Sequence, residues 1–226
     1  MKKYLFVVCC LLLVFVITGC SFDDKLSSKE EIINSVNLSL PDAKFIKLEE
    51  IDVSGSDHIT KEIDYHFNIN SINFTVSNYL YLDEYARTAK EHVSDTYMEN
   101  VWNKKSIELE GLFDKYSGVE KSTDYGAIYF TPVNYQDFDT LDKFLDEYLD
   151  LLKGYLPYEN GSIESDITIA LDIPNIELYG PEKMSINKPL YVDTLEEVKN
   201  NSIKELQEKY LKNVELGYIN DNTINN

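Results

Sequence analysis

The sequence predicts an α+β fold in which amphipathic helices pack on a largely antiparallel sheet, a β-meander followed by further strands. Three observations carry that expectation. Between Lys44 and Tyr81 three β-rich segments follow one another through turns too short for a crossover. Helical apolar spacing recurs on either side of them, and most cleanly in DFDTLDKFLDEYLDLLKG, Asp137 to Gly154. The chain has 226 residues, 43% of them hydrophobic and 27% charged, with 9 Gly and 6 Pro, a composition that folds rather than remaining disordered.

Taken in order, Ser28 and Glu31 have capping-box spacing, and Ile32, Ile33 and Val36 give an apolar face, so a helix begins at Lys29 and ends before Pro41. FIKLEEIDV, ITKEIDYHFNI and INFTVSNYLYL then form the meander, divided by Ser-Gly-Ser-Asp and by Asn70-Ser71. Its inward residues are Phe45, Ile63, Tyr65, Phe67, Phe74 and Val76. Tyr85, Ala86, Ala89, Val93 and Tyr97 return to helical spacing, predicting a helix over residues 83–101, and Leu109, Leu112, Phe113 and Tyr116 predict another after Ser106.

Tyr125 to Val133 reads as a strand. The helix over Asp137 to Gly154 presents Leu141, Phe144, Leu145, Tyr148, Leu149 and Leu152 on one face, with Gly154 fitting a C-cap. ESDITIALDI and MSINKPLYV are two more strands, and Thr194 with Glu197 forms a second capping box opening a helix to about Lys212. The predicted order is α-βββ-α-α-β-α-ββ-α. One domain over 28–219 is expected, with a subdivision at 117–124 as the alternative and a frayed polar tail over 220–226.

The N-terminus differs in kind. Lys2 and Lys3 are followed by an unbroken apolar run from Tyr4 to Ile17 and then by the small pair Thr18-Gly19, the three parts of a secretory signal peptide over residues 1–19. As a helix that run covers roughly 21 Å, short for a bilayer core about 30 Å thick. Ile17-Thr18-Gly19-Cys20 resembles the lipobox of bacterial lipoprotein precursors: an aliphatic residue, two small ones and an obligatory Cys. The resemblance implies that a signal peptidase recognises Ile17, Thr18 and Gly19 and cuts before Cys20. It further implies that the Cys20 thiol carries a diacylglyceryl group. Two acyl chains give the double anchor that stable membrane attachment requires. Residues 20–27 then read as a tether, and the protein is expected on the extracytoplasmic face of the cell membrane. The match covers about twenty residues and implies nothing about the remainder.

Charge and cysteine content exclude much else. The formal charge is −19, and loss of Lys2 and Lys3 with the signal peptide takes it to about −21, a surface that repels nucleic-acid phosphates and anionic headgroups. No nucleic-acid partner is expected. All three cysteines, Cys9, Cys10 and Cys20, lie in the first twenty residues, so the body has no thiol for a disulfide, a zinc-thiolate site or a nucleophile.

Motifs for catalysis are weak. His58 and His66 stand about 26 Å apart if the strand between them is extended, and His92 lies one predicted helical turn from Asp95, a spacing that fits a solvated face as well as a ligand pair. Asp137, Asp139 and Asp142 lack the Gly and terminal Glu of a calcium loop. Ser185-Ile186-Asn187-Lys188 has S-x-x-K spacing, but Pro189 disfavours the helix that chemistry needs. No nucleophile elbow, phosphate-binding glycine loop or dinucleotide fingerprint is present.

What remains is aromatic enrichment, with 17 Tyr and 10 Phe. Tyr79, Tyr81 and Tyr85 gather at one junction and Tyr155 and Tyr158 at another, and exposed Tyr suits peptide or sugar recognition. Core packing is the competing explanation. The expected function is therefore a non-enzymatic, membrane-anchored binding or accessory module for an envelope protein, peptide or small ligand, without a cofactor or metal. The alternative is a cell-envelope hydrolase working through Asp and Glu residues.

Overall fold

Ser28 starts the first helix as its sequence requires. Its Oγ accepts from the Glu31 N–H at 3.3 Å, while its own N–H donates to the Glu31 carboxylate at 2.6 Å, which opens α1 (Lys29–Ser39). The computed structural model describes residues 25–83, 88–122, 126–173, 184–221 and 223.

After α1 comes a four-stranded antiparallel sheet in the order β1-β2-β3-β4, with β1 at Lys44–Glu50, β2 at Ile59–Ile69, β3 at Ile72–Asp83 and β4 at Thr88–Asp95. The β2–β3 hairpin closes at Ile69↔Ile72 around Asn70 and Ser71, whose φ values of 49° and 64° match the two-residue turn whose twist suits flanking strands. Tyr65, Phe67, Phe74 and Val76 face the core, and Phe45 and Ile63 pack at its margin, as their alternation predicts.

β4 corrects the helix expected over 83–101. Its residues pair with β3 from Val76↔Asp95 to Asp83↔Thr88, and the helix, α2 (Tyr97–Lys104), begins only after that ladder ends. Pairing with the twelve-residue β3 supplies hydrogen bonds that a weakly amphipathic, charged segment cannot match with a helix of its own. α3 (Ser106–Lys115) follows almost at once.

The second sheet has the order β5-β6-β7-β8, from β5 (Val119–Lys121), β6 (Ala127–Phe130), β7 (Asp166–Leu171) and β8 (Ser185–Pro189). It begins inside the stretch 117–124, and three-residue β5 was too short to read from periodicity. Among the described strands only β6 and β7 run parallel, because α4 (Phe138–Leu152) lies between them in the chain and carries it back across the sheet. Leu141, Phe144, Leu145, Tyr148, Leu149 and Leu152 are all buried on the helix face expected of them. Gly154 is not a left-handed cap; the helix tightens into a 3-10 turn over Lys153–Tyr155.

α5 (Leu195–Glu215) starts where expected, but without a capping box. The Thr194 hydroxyl instead accepts from the Tyr191 N–H at 2.9 Å and donates to the Pro189 carbonyl at 2.8 Å. One contiguous apolar cluster joins both sheets, from Ile32 and Phe67 to Phe144, Ile169 and Tyr210. Trp102 of α2 meets Tyr148 of α4 inside it, with ring centroids 5.6 Å apart.

Both ends of the fold extend past their predicted limits. Leu26 is buried, and Ser27 donates to Glu91 of β4 from its N–H at 2.6 Å and its hydroxyl at 3.1 Å, so the predicted tether gives way to packed structure at Leu26. The tail expected to fray from residue 220 is held at Asp221, a buried carboxylate. It accepts from the Tyr135 N–H, the Tyr210 hydroxyl, and the N–H and hydroxyl of Thr223, at 2.6–3.0 Å. Those four donors hold its pKa below the usual carboxylate range against the opposing effect of burial.

Candidate functional site: the open face of the first sheet

Strand alternation gives the first sheet two different faces. One, with Phe67, Phe74, Val76 and Leu80, is buried in the core. The other is polar and aromatic, and its cross-strand pairs define rungs. One rung is His92–Tyr79–Glu62, the next Ser94–Ser77–Asp64–Glu49, and the third Thr75–His66–Lys47.

The aromatic rungs form a continuous run of rings. His58 lies against Tyr81 at 5.6 Å, Tyr81 meets His92 edge-on at 5.8 Å and 83°, and His92 stacks on Tyr79 at 5.7 Å and 17°. Tyr81 is 39% exposed. The Leu82 N–H donates to the His58 carbonyl at 2.7 Å, which fixes the approach of that histidine to the sheet.

Beside the rings lie carboxylates. Asp64 accepts from the Ser77 hydroxyl at 2.6 Å, and Glu49 takes the Lys47 ammonium at 2.8 Å with the His66 Nε2 at 3.7 Å. The Lys47 hydrogen bond is the main cause that lowers the Glu49 pKa. Glu62 moves the other way, raised first by burial and then by the charge of Asp64 two residues along the same face. His66 is turned by a 3.1 Å contact between its Nδ1 and the Thr75 hydroxyl.

The structure divides the five predicted tyrosines. Tyr79 and Tyr81 share the open face. Tyr155 lies on the opposite, core side, where its carbonyl accepts from the Tyr97 hydroxyl at 2.9 Å and its ring receives Lys105 Nζ at 5.5 Å. Tyr158 is 41% exposed, but its N–H is fixed to the Ser39 carbonyl on α1 at 2.8 Å, so it does not join the open-face cluster. Tyr85, and Ile17, Thr18, Gly19 and Cys20 of the lipobox, lie outside the described residues.

His58 and His92 belong to the face although neither was predicted there. His92 was hidden because β4 was read as helix; once residue 92 is on a strand, its three-residue offset from Asp95 places the two on opposite faces. The same parity separates Ser185 from Lys188, and Lys188 pairs with Glu205 of α5.

Asp95 is a structural joint. Its two oxygens accept the Tyr97 N–H at 2.8 Å and the Glu164 N–H at 3.1 Å, and burial pushes its pKa up to about 6 despite those donors. Elsewhere, surface depressions of about 610 and 410 Å³ lie near Glu110 and Lys121 and near Val133 and Tyr218. Among the described residues no three His, Cys, Asp or Glu side chains are arranged to hold a metal ion, and no helix is long and apolar enough to cross a membrane.

These elements define an α+β protein with two four-stranded sheets, one of which presents an open tyrosine–histidine face. In comparisons with known proteins, no family model, no curated protein and no solved structure matches the chain.

Proposed function

We propose that this protein is a membrane-anchored, non-enzymatic binding module of the cell envelope, docking an envelope protein or peptide on the open face of its first sheet. The anchor in this reading is a diacylglyceryl thioether on Cys20, formed after cleavage behind Gly19. The observation that carries the docking surface is the run of rings His58–Tyr81–His92–Tyr79 on a sheet face where Tyr81, His92 and Ser94 are exposed. Tyrosine contributes a flat apolar surface with a polar tip and few rotatable bonds, so little entropy is lost on contact. Ring pairs already stacked in the free protein reduce that loss further.

A photo-crosslinking phenylalanine at position 81, compared with one at exposed Glu208 on α5, tests this in intact cells. The reading expects a discrete crosslinked protein or peptide adduct from position 81 and none of that mass from position 208. Equal labelling from both positions, or none from position 81, would overturn it.

A further inference from the structure

Lys44, Lys47 and Lys90 share the open face with Glu49, Glu62 and Asp64, but they do not pair off evenly. Glu62 and Asp64 are two residues apart on one strand, so their side chains leave the same face about 7 Å apart. Asp64 also stands directly across from Glu49, a like-charge pairing that destabilises a sheet. Glu49 has Lys47 for a partner, but neither Glu62 nor Asp64 has a cation within ion-pair distance among the described residues. Burial first, and then the charge of Asp64, make Glu62 hold its proton more tightly than an isolated glutamate.

An aromatic ring borders the same place. Tyr79 is the cross-strand partner of Glu62, and the next rung carries only the small side chains Ser77 and Ser94 before Asp64 is reached. A shallow strip floored by serines thus has a tyrosine ring at one margin and two unneutralised carboxylates along another. An ammonium or guanidinium group resting there meets the ring quadrupole and both carboxylates together, and its long aliphatic stem lies on the serine floor. The formal charge of −19 draws cationic partners towards the molecule as a whole, and the strip is where such a charge finds an aromatic face as well.

We infer that this strip takes a lysine or arginine side chain from an extended, basic segment of the partner protein. The inference rests on the open face being the docking surface. It adds the partner's chemistry: alternating cationic residues, which project from one side of an extended segment.

The test uses the full chain in phosphatidylcholine nanodiscs, titrated calorimetrically with an acetylated, amidated peptide of alternating Lys and Thr. Saturable one-to-one binding is expected, weakened at least tenfold by Glu62→Gln combined with Asp64→Asn. The control is Asp139→Asn with Asp142→Asn and Asp146→Asn, which removes more charge from α4 yet should alter affinity less than twofold. The double variant relieves repulsion, so its melting temperature should equal or exceed that of the parent. Should it fail to fold, Glu62→Gln alone is expected to weaken binding at least threefold. Absence of saturable binding, or an equal loss in the α4 variant, overturns the inference. If position 81 crosslinks a partner while the carboxamide substitutions leave peptide affinity unchanged, the docking surface stands and its cationic specificity falls.

Discussion

Asn78 sits on the core side of β3 with no exposed surface, and neither its Oδ1 nor its Nδ2 has a hydrogen-bond partner. A buried amide left unpaired costs about 1–3 kcal/mol, and Val76 and Leu80 on either side give it an apolar setting. Asn78→Val should therefore raise the urea midpoint by the equivalent of about 1–3 kcal/mol; a lowered midpoint would mean that the amide is held by a buried water. Asp95 gives a different signature. Its folded pKa of about 6 lies above the ordinary 3.8, so between those values the folded state keeps a proton that the unfolded chain releases. Its contribution to stability is therefore fully present below pH 3.8 and is lost as the pH rises from there through about 6, by up to about 3 kcal/mol. Asp95→Asn should flatten that part of the stability profile, measured as the difference between variant and parent at pH 4 and pH 7. An unchanged profile would mean that Asp95 titrates in the folded protein as it does in the unfolded chain.

At the scale of elements, the strap between α4 and β7 joins the two sheets. Tyr158 N–H and Ile163 N–H reach the Ser39 carbonyl and hydroxyl of α1 at 2.8 and 3.2 Å, and Glu164 N–H reaches Asp95 at the end of β4. Between them Gly161 passes so close to α1 that a Cβ would collide with the Ser39 side chain and the Ser35 carbonyl. Gly161→Ala should cost about 1–3 kcal/mol by forcing that strap outward, seen as a lowered denaturation midpoint; an unchanged midpoint would show the strap to be loosely held. None of this closeness is legible in the sequence, because the contact joins residues more than a hundred positions apart. The stripe of α4 is legible, since Leu141, Phe144, Leu145, Tyr148, Leu149 and Leu152 repeat with the helical period and meet one core. The meander is legible for the matching reason, its alternation having the period of a strand. β4 is not: an edge strand with exposed Lys90, Glu91, His92 and Ser94 shows no apolar alternation, so chance helical spacing prevails. That misreading also hid one of the four rings in the run, because Tyr79 and Tyr81 announce themselves as aromatics whereas His92 acquires meaning only from its register with them.

For the whole molecule, anchor and fold are separable in the chain. The proposed lipid sits on Cys20, and the first buried residue among those described is Leu26, a separation that reaches at most roughly 20 Å when extended. On the proposed anchor, so short a link would hold the acidic body beside the bilayer, where anionic headgroups repel it within a screening length of about 8 Å. In that proposal attachment comes from the acyl chains, for the protein surface opposes it. Cys20→Ala should transfer the protein from the membrane fraction to the soluble fraction and abolish incorporation of labelled fatty acid. The thermal midpoint should stay within about 1 °C, because every buried residue among those described lies at Leu26 or beyond. Raising the salt concentration should not release the parent protein, since screening weakens the repulsion and leaves the acyl anchor intact. If Cys20→Ala remains in the membrane fraction, or if salt alone strips the parent protein away, the thioether is not what holds it.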